Sequence, residues 1–156
     1  MVLSEIPIHL RTDEETKYIL NIIDTFSKPG ESYILNIKKS DKILGCLKEF
    51  INRHNKPNKI QKDNGKEFVN RLIEDHYNIN NISIVRGRTY HPQSKGCIEA
   101  FNKEIKKLLE ILHMEKTVNN FLYIVLPEVL EIYNGNVILL LNFNIICYSN
   151  VLIIKL

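Results

Sequence analysis

Apolar residues fall along this chain in two rhythms. Short, β-rich runs at Ile6–Leu10, Lys17–Asp24 (KYILNIID), Glu31–Ile37 (ESYILNI), Lys59–Gln61 and Ile82–Val85 predict strands. The polar turn Arg11–Thr16 and the FSKPG stretch, with Pro29 and Gly30, separate the first three, which suits an antiparallel meander. Helical spacing takes over at Ile43, Leu44, Leu47, Phe50 and Ile51, and predicts a helix over 41–54 capped by Ser40. It returns through Phe68, Leu72 and Ile73 over Gly65–Tyr77. The strongest stripe is Ile98, Phe101, Ile105, Leu108 and Leu112, which predicts a helix over Gly96–His113. Residues 86–95 (RGRTYHPQSK) are polar and read as a loop. Thr117–Tyr133 is a further helix candidate that Pro127 should kink or split. Three strands, helix, strand, helix, strand, helix, helix describes a mixed α/β layered domain rather than an alternating, doubly wound one.

Beyond residue 136 the pattern changes. Residues 137–156 (VILLLNFNIICYSNVLIIKL) are twenty largely apolar positions, long enough to span a bilayer. Asn142, Asn144, Ser149 and Asn150 interrupt the run and argue against a membrane. Strands, or translation of a foreign reading frame, account for it as well.

Composition adds little. A chain of 156 residues is one domain with room for a full core, and a net charge of +3 permits a polyanionic partner without demanding one. Cys46, Cys97 and Cys147 form no CxxC pair, so neither a disulfide framework nor a zinc knuckle is indicated, and a reducing compartment is the default. The N-terminal MVLSEIPIHLRTDEE is not a secretory signal.

Two acids carry the chemistry. Asp63 stands in IQKDNGKEF, at the end of a predicted strand and before an Asn64-Gly65 turn. Glu99 stands in HPQSKGCIEAFNKEIKK, in the expected first turn of the long helix, with thirty-five residues between it and Asp63. Singly, Asp63 reads as a turn residue and Glu99 as an acid favoured by the helix dipole. Together the two segments strongly resemble the catalytic core of retroviral and retrotransposon integrases, with their DNG-x-EF and HPQ-x-x-G-x-x-E-x-x-N motifs. The resemblance covers about 1–134 and includes LSEIP and YILNIIDTFSK upstream.

That resemblance implies a ribonuclease H-like fold, a mixed five-stranded sheet flanked by helices. It implies phosphodiester transfer with two divalent cations, Mg²⁺ or Mn²⁺, held by carboxylates that clamp the attacking and leaving oxygens. Asp63 and Glu99 would each hold one ion, and a third carboxylate would bridge them. Relatives carry that acid in D-L-[ST]-E-I-P, and here Val2 stands in its place. Asp13 and Asp24 do not align with it, and Glu5 is three residues along on the opposite face of the strand. A core with two of three ligands, and impaired chemistry, is the expectation.

Asn102, Lys103 and Lys106 follow Glu99 at helical spacing, and with Lys95 they are the expected DNA-binding residues. Lys103, Lys106 and Lys107 also suit a solvated face paired with Glu104 and Glu110. Tyr90 and His91 are candidates to stack on an unpaired end, whereas His9, His54, His76 and His113 lack metal spacing. Tyr133-Asn134 matches a family Tyr-Asn near the end of the last core helix. The expected division is a core over 1–134, its first strand truncated, and an atypical tail over 135–156. The expected role is DNA integration by a mobile-element enzyme, with element ends and a target duplex as partners, a homodimer by resemblance, action in the nucleus and no membrane. The zinc-binding and DNA-binding modules of complete integrases are not seen, which suggests a fragment or degenerate copy. The competing readings are a catalytically dead DNA-binding or dimerising remnant and a membrane-anchored fragment.

Overall fold

The computed structural model describes residues 2–11, 16–24, 29–54, 56–62, 70–86, 92–116, 119–141 and 151–153, with backbone alone at 2, 3, 86, 92–95, 137–141 and 151–153. Strands β1 (Val2–Glu5), β2 (Tyr18–Asp24) and β3 (Gly30–Leu35) form an antiparallel meander, with its first strand earlier in the chain than expected. The expected strand at Ile6–Leu10 is replaced by a single 3-10 turn, Ile8–Leu10, closed by the Leu10 N–H on the Pro7 carbonyl at 2.9 Å. Pro7 has no N–H to give a ladder, so the strand ends before it.

Helix α1 (Ser40–His54) is followed by β4 (Lys59–Lys62), α2 (Arg71–Ile79) and β5 (Ser83–Arg86). Helix α2 is capped by Asn70, whose side chain accepts from the Leu72 N–H at 2.9 Å. Strands β4 and β5 pair in parallel, as strands joined by a crossover helix do.

Helix α3 runs Pro92–Glu115 and α4 runs Phe121–Leu141. Two expectations change here. The expected loop over 86–95 is shorter, because α3 starts at Pro92: a proline suits the first helical position, where its missing N–H is not needed. Helix α4 continues through Pro127 and across 134/135, so the apolar tail begins as helix. No helix among the described residues is long and apolar enough to cross a membrane.

The tail contributes a further strand, β6 (Val151–Ile153), so among the described residues the sheet has six strands instead of five. Strand β6 is antiparallel to β2, with Ile153 opposite Ile23 and Leu152 opposite Asp24. It is parallel to β4, with Val151, Leu152 and Ile153 opposite Lys59, Ile60 and Gln61.

Alternation along β2 divides the core. Leu20 and Ile22 face a layer built from Ile43, Leu47 and Phe50 of α1, Ile60 of β4, and Ile73 and Tyr77 of α2. Ile19 and Ile23 face the other layer, with Ile98, Phe101, Ile105 and Leu109 of α3 and Leu122, Val125 and Val129 of α4. The predicted α3 stripe holds, with Leu109 buried and Leu108 only partly so.

Candidate active site

The site begins with a polar residue in an apolar strand. Asn21 sits between Leu20 and Ile22 in β2, is 1% exposed, and belongs to the face that meets α3. Its amide donates to the Asn102 side-chain oxygen at 2.6 Å and accepts from the Ser32 hydroxyl at 2.5 Å. A buried amide needs such partners. The relay ties β3 and β2 to α3 one turn after Glu99. Sequence reasoning did not single out Asn21 or Ser32, although an asparagine inside YILNIID was the available signal.

Val2 pairs with Asn21 in the β1–β2 register. Directly opposed positions of an antiparallel pair lie on one face, so position 2 belongs to the α3 side of the sheet. Glu5 pairs with Tyr18, which packs on the α1 layer, and is exposed. Asp24, three positions beyond Asn21 on β2, also alternates to the α1 side. Neither acid stands in for a ligand beside α3. Asp63 directly follows β4 but lies outside the described residues, as do Asp13, Tyr90 and His91.

Glu99 lies on α3 and is exposed. Because α3 starts at Pro92, Glu99 stands about two turns into the helix rather than in its first turn, beyond the reach of the helix dipole. Lys95 likewise belongs to α3 and not to a loop, with its side chain outside the description. At roughly 100° per residue, positions 95, 99, 102, 103 and 106 share one arc of the helix beside its buried stripe. Lys103 and Lys106 are exposed, and among the described residues neither pairs with an acid. Lys107 pairs with Glu104 at 3.6 Å. Asn102, expected at a DNA surface, is half-buried with its oxygen engaged by Asn21, a bond that ties α3 to β2.

A second anchor seats α4. Asn134 accepts from the Gly30 N–H at 2.9 Å and donates to the Gly30 carbonyl at 3.0 Å, closing the start of β3 as a partner strand would. Tyr133 packs edge-on against Phe101 at 4.7 Å, and burial pushes its hydroxyl up to about 12. The Tyr-Asn pair noted in the sequence is therefore structural. A cleft of about 770 Å³ opens beside it, between α1, β3 and α4, lined by Glu31, Tyr33, Arg53 and Tyr123 among others. Glu99, Lys103 and Lys106 do not line it.

As hard oxygen donors, carboxylates at positions 63 and 99 fit Mg²⁺. Valine at position 2 supplies no donor, and no group of three metal-ligating side chains occurs among the described residues.

Comparison with known proteins agrees with this architecture. The integrase core domain family matches residues 6–92. The Gag-Pol polyprotein of avian reticuloendotheliosis virus is 32% identical over 100 residues, covering 64% of this chain and 9% of that protein. The Gag-Pol polyprotein of feline leukemia virus is 31% identical over 100 residues, covering 64% and 6%. The chain thus spans under a tenth of the length of these relatives. Among solved structures, the catalytic core domain of HTLV-2 integrase in complex with magnesium, in a dimeric form, superposes with a TM-score of 0.65 at 18% identity, covering 83% of this chain and 80% of that one. A chain of the simian T-cell lymphotropic virus intasome gives 0.66 at 17% identity, covering 96% and 49%. The fold is ribonuclease H-like, and the chain belongs to the integrase core domain family.

Proposed function

We propose that this domain serves DNA integration, binding DNA through Lys103 and Lys106 of α3, with Lys95 as a further contact, and holding a divalent cation, Mg²⁺ or Mn²⁺, between Asp63 and Glu99. The observation that carries the reading is the β1–β2 register. It sets position 2 opposite Asn21, whose amide reaches α3 one turn from Glu99. That is where a third carboxylate would join the other two, and this chain has valine there. Two carboxylates bind one cation more readily than they clamp two, so 3′-end processing and strand transfer are impaired. The cation, when bound, would stabilise charge on phosphate oxygens. The lysines hold the phosphate backbone without reading sequence. The substrates would be element ends and a target duplex, and the place of action the nucleus.

A strand-transfer assay on the native chain and on Val2→Asp tests this. The native chain should show no turnover above background and Val2→Asp a measurable gain. Turnover by the native chain equal to that of Val2→Asp would refute the missing-ligand reading.

A second reading, a DNA-binding or dimerising domain without catalysis, is favoured by the exposed Tyr123 and Ile124, neighbours on α4 that leave apolar surface open to another copy. The dimeric form of the HTLV-2 core is a precedent for such pairing.

A further inference from the structure

Strand β2 has two edges. Strand β3 covers one, from Tyr18 to Ile23. Strand β1 takes the other, from Tyr18 to Asn21, and β6 takes the same edge farther along, at Ile23 and Asp24. Both run antiparallel to β2, so β6 continues the line of β1 in the same direction, with one position, opposite Ile22, between them. On its far side β6 pairs with β4, whose only other partner among the described strands is β5. Take β6 away, and the described ladders separate into the β1–β2–β3 meander and the β4–β5 pair.

We infer that residues 151–153 form an internal bridging strand that joins the two halves of the sheet and so sets the spacing between the strand leading into Asp63 and the helix carrying Glu99. The meander binds α3 through the Asn21–Asn102 bond, so Glu99 travels with one half. Strand β4, which in sequence leads into Asp63, belongs to the other. Leu152 is the central rung, opposite Asp24 on one side and Ile60 on the other. Its contribution is backbone pairing, which proline cannot supply in an interior strand. The layer beneath α1, which includes Leu20, Ile22, Ile43 and Ile60, packs both halves together from below, so losing the bridge loosens the junction without unfolding the domain.

Hydrogen exchange on the full chain, without metal, compares Leu152→Pro with Leu152→Val and the native protein. In Leu152→Pro the amides of 59 and 61, which alternate to the β6 side of β4 while that of Ile60 faces β5, should lose protection at least tenfold, and those of the β2–β3 ladder should keep theirs. Leu152→Val should match the native chain. Unchanged protection at 59 and 61 in Leu152→Pro overturns the bridge, and so does equal loss across β2–β3, which would mark general unfolding. The consequence for the acids rests on the functional reading above, and a Mn²⁺ titration of the same proteins separates the two. Weaker binding in Leu152→Pro than in the native chain is expected. A native chain that takes up no Mn²⁺ defeats the acid-pair reading, and the exchange data still decide the bridge.

Discussion

Asn21 and Asn102 are 81 residues apart in sequence and joined by a side-chain hydrogen bond of 2.6 Å. The bond crosses from the middle of the sheet to α3, and Ser32 completes it from β3. It fixes the rotation of α3 about its own axis, and with it the direction in which Glu99, Lys103 and Lys106 point.

Asn102→Ala leaves a buried amide donor on Asn21 without its partner. An unsatisfied buried group costs about 1–3 kcal/mol. Urea denaturation should show that loss of stability, with the slope of the transition preserved. Stability equal to the native value would mean that the bond contributes nothing.

Lys103→Gln combined with Lys106→Gln should weaken duplex DNA binding to the same degree for element-end and random sequences. Each lost phosphate contact lowers the slope of log affinity against log salt by about 0.9, so the pair should lower it by about 2. Binding titrations across a range of salt concentrations measure this. An unchanged slope would remove these lysines from the interface.

Gly30 has no room for a side chain. A Cβ there would run into the ring carbons of Phe101. Gly30→Ala should destabilise the domain by about 1–3 kcal/mol, as overpacking does. Phe101→Leu in the same chain should recover part of the loss beyond what the single changes predict together. Thermal melts of the two single variants and the double variant provide the cycle.

Burial, reinforced by Glu49, pushes the Cys46 thiol up to about 11. Only the thiolate is nucleophilic, so at pH 8 Cys46 should alkylate on the order of a hundredfold more slowly than a free thiol. Peptide-level mass spectrometry after timed iodoacetamide treatment measures the rate. The raised value also signs a pH dependence. The folded state keeps its proton where the unfolded chain has lost it, so stability falls as pH rises from the ordinary thiol range toward 11.

The elements most legible in the sequence were those with a strict period. The α3 stripe from Ile98 to Leu112 and the β2 run both appear where the pattern put them. Errors gathered where a proline decides the backbone. Pro7 turned an expected strand into a 3-10 turn, Pro92 opened α3 early, and Pro127 was carried inside α4. Motif spacing singled out Asp63 and Glu99 as candidates. It could not reveal Asn21, Ser32 or the grip of Asn134 on Gly30, which depend on which distant segments meet. The tail looked foreign for the same reason: three apolar residues do not announce that they will lie between β2 and β4.

Strand β6 also bears on when the fold can be completed. Ile153 pairs with Ile23, 130 positions away (153 − 23), so this contact is among the most distant the chain can make. Such contacts form late, after the entropy of closing a long loop has been overcome. During synthesis the meander and α1 can assemble as they leave the ribosome. The sheet's central seam must wait for residues 151–153, and until then the nascent domain carries an open strand edge that chaperones or aggregation partners can reach.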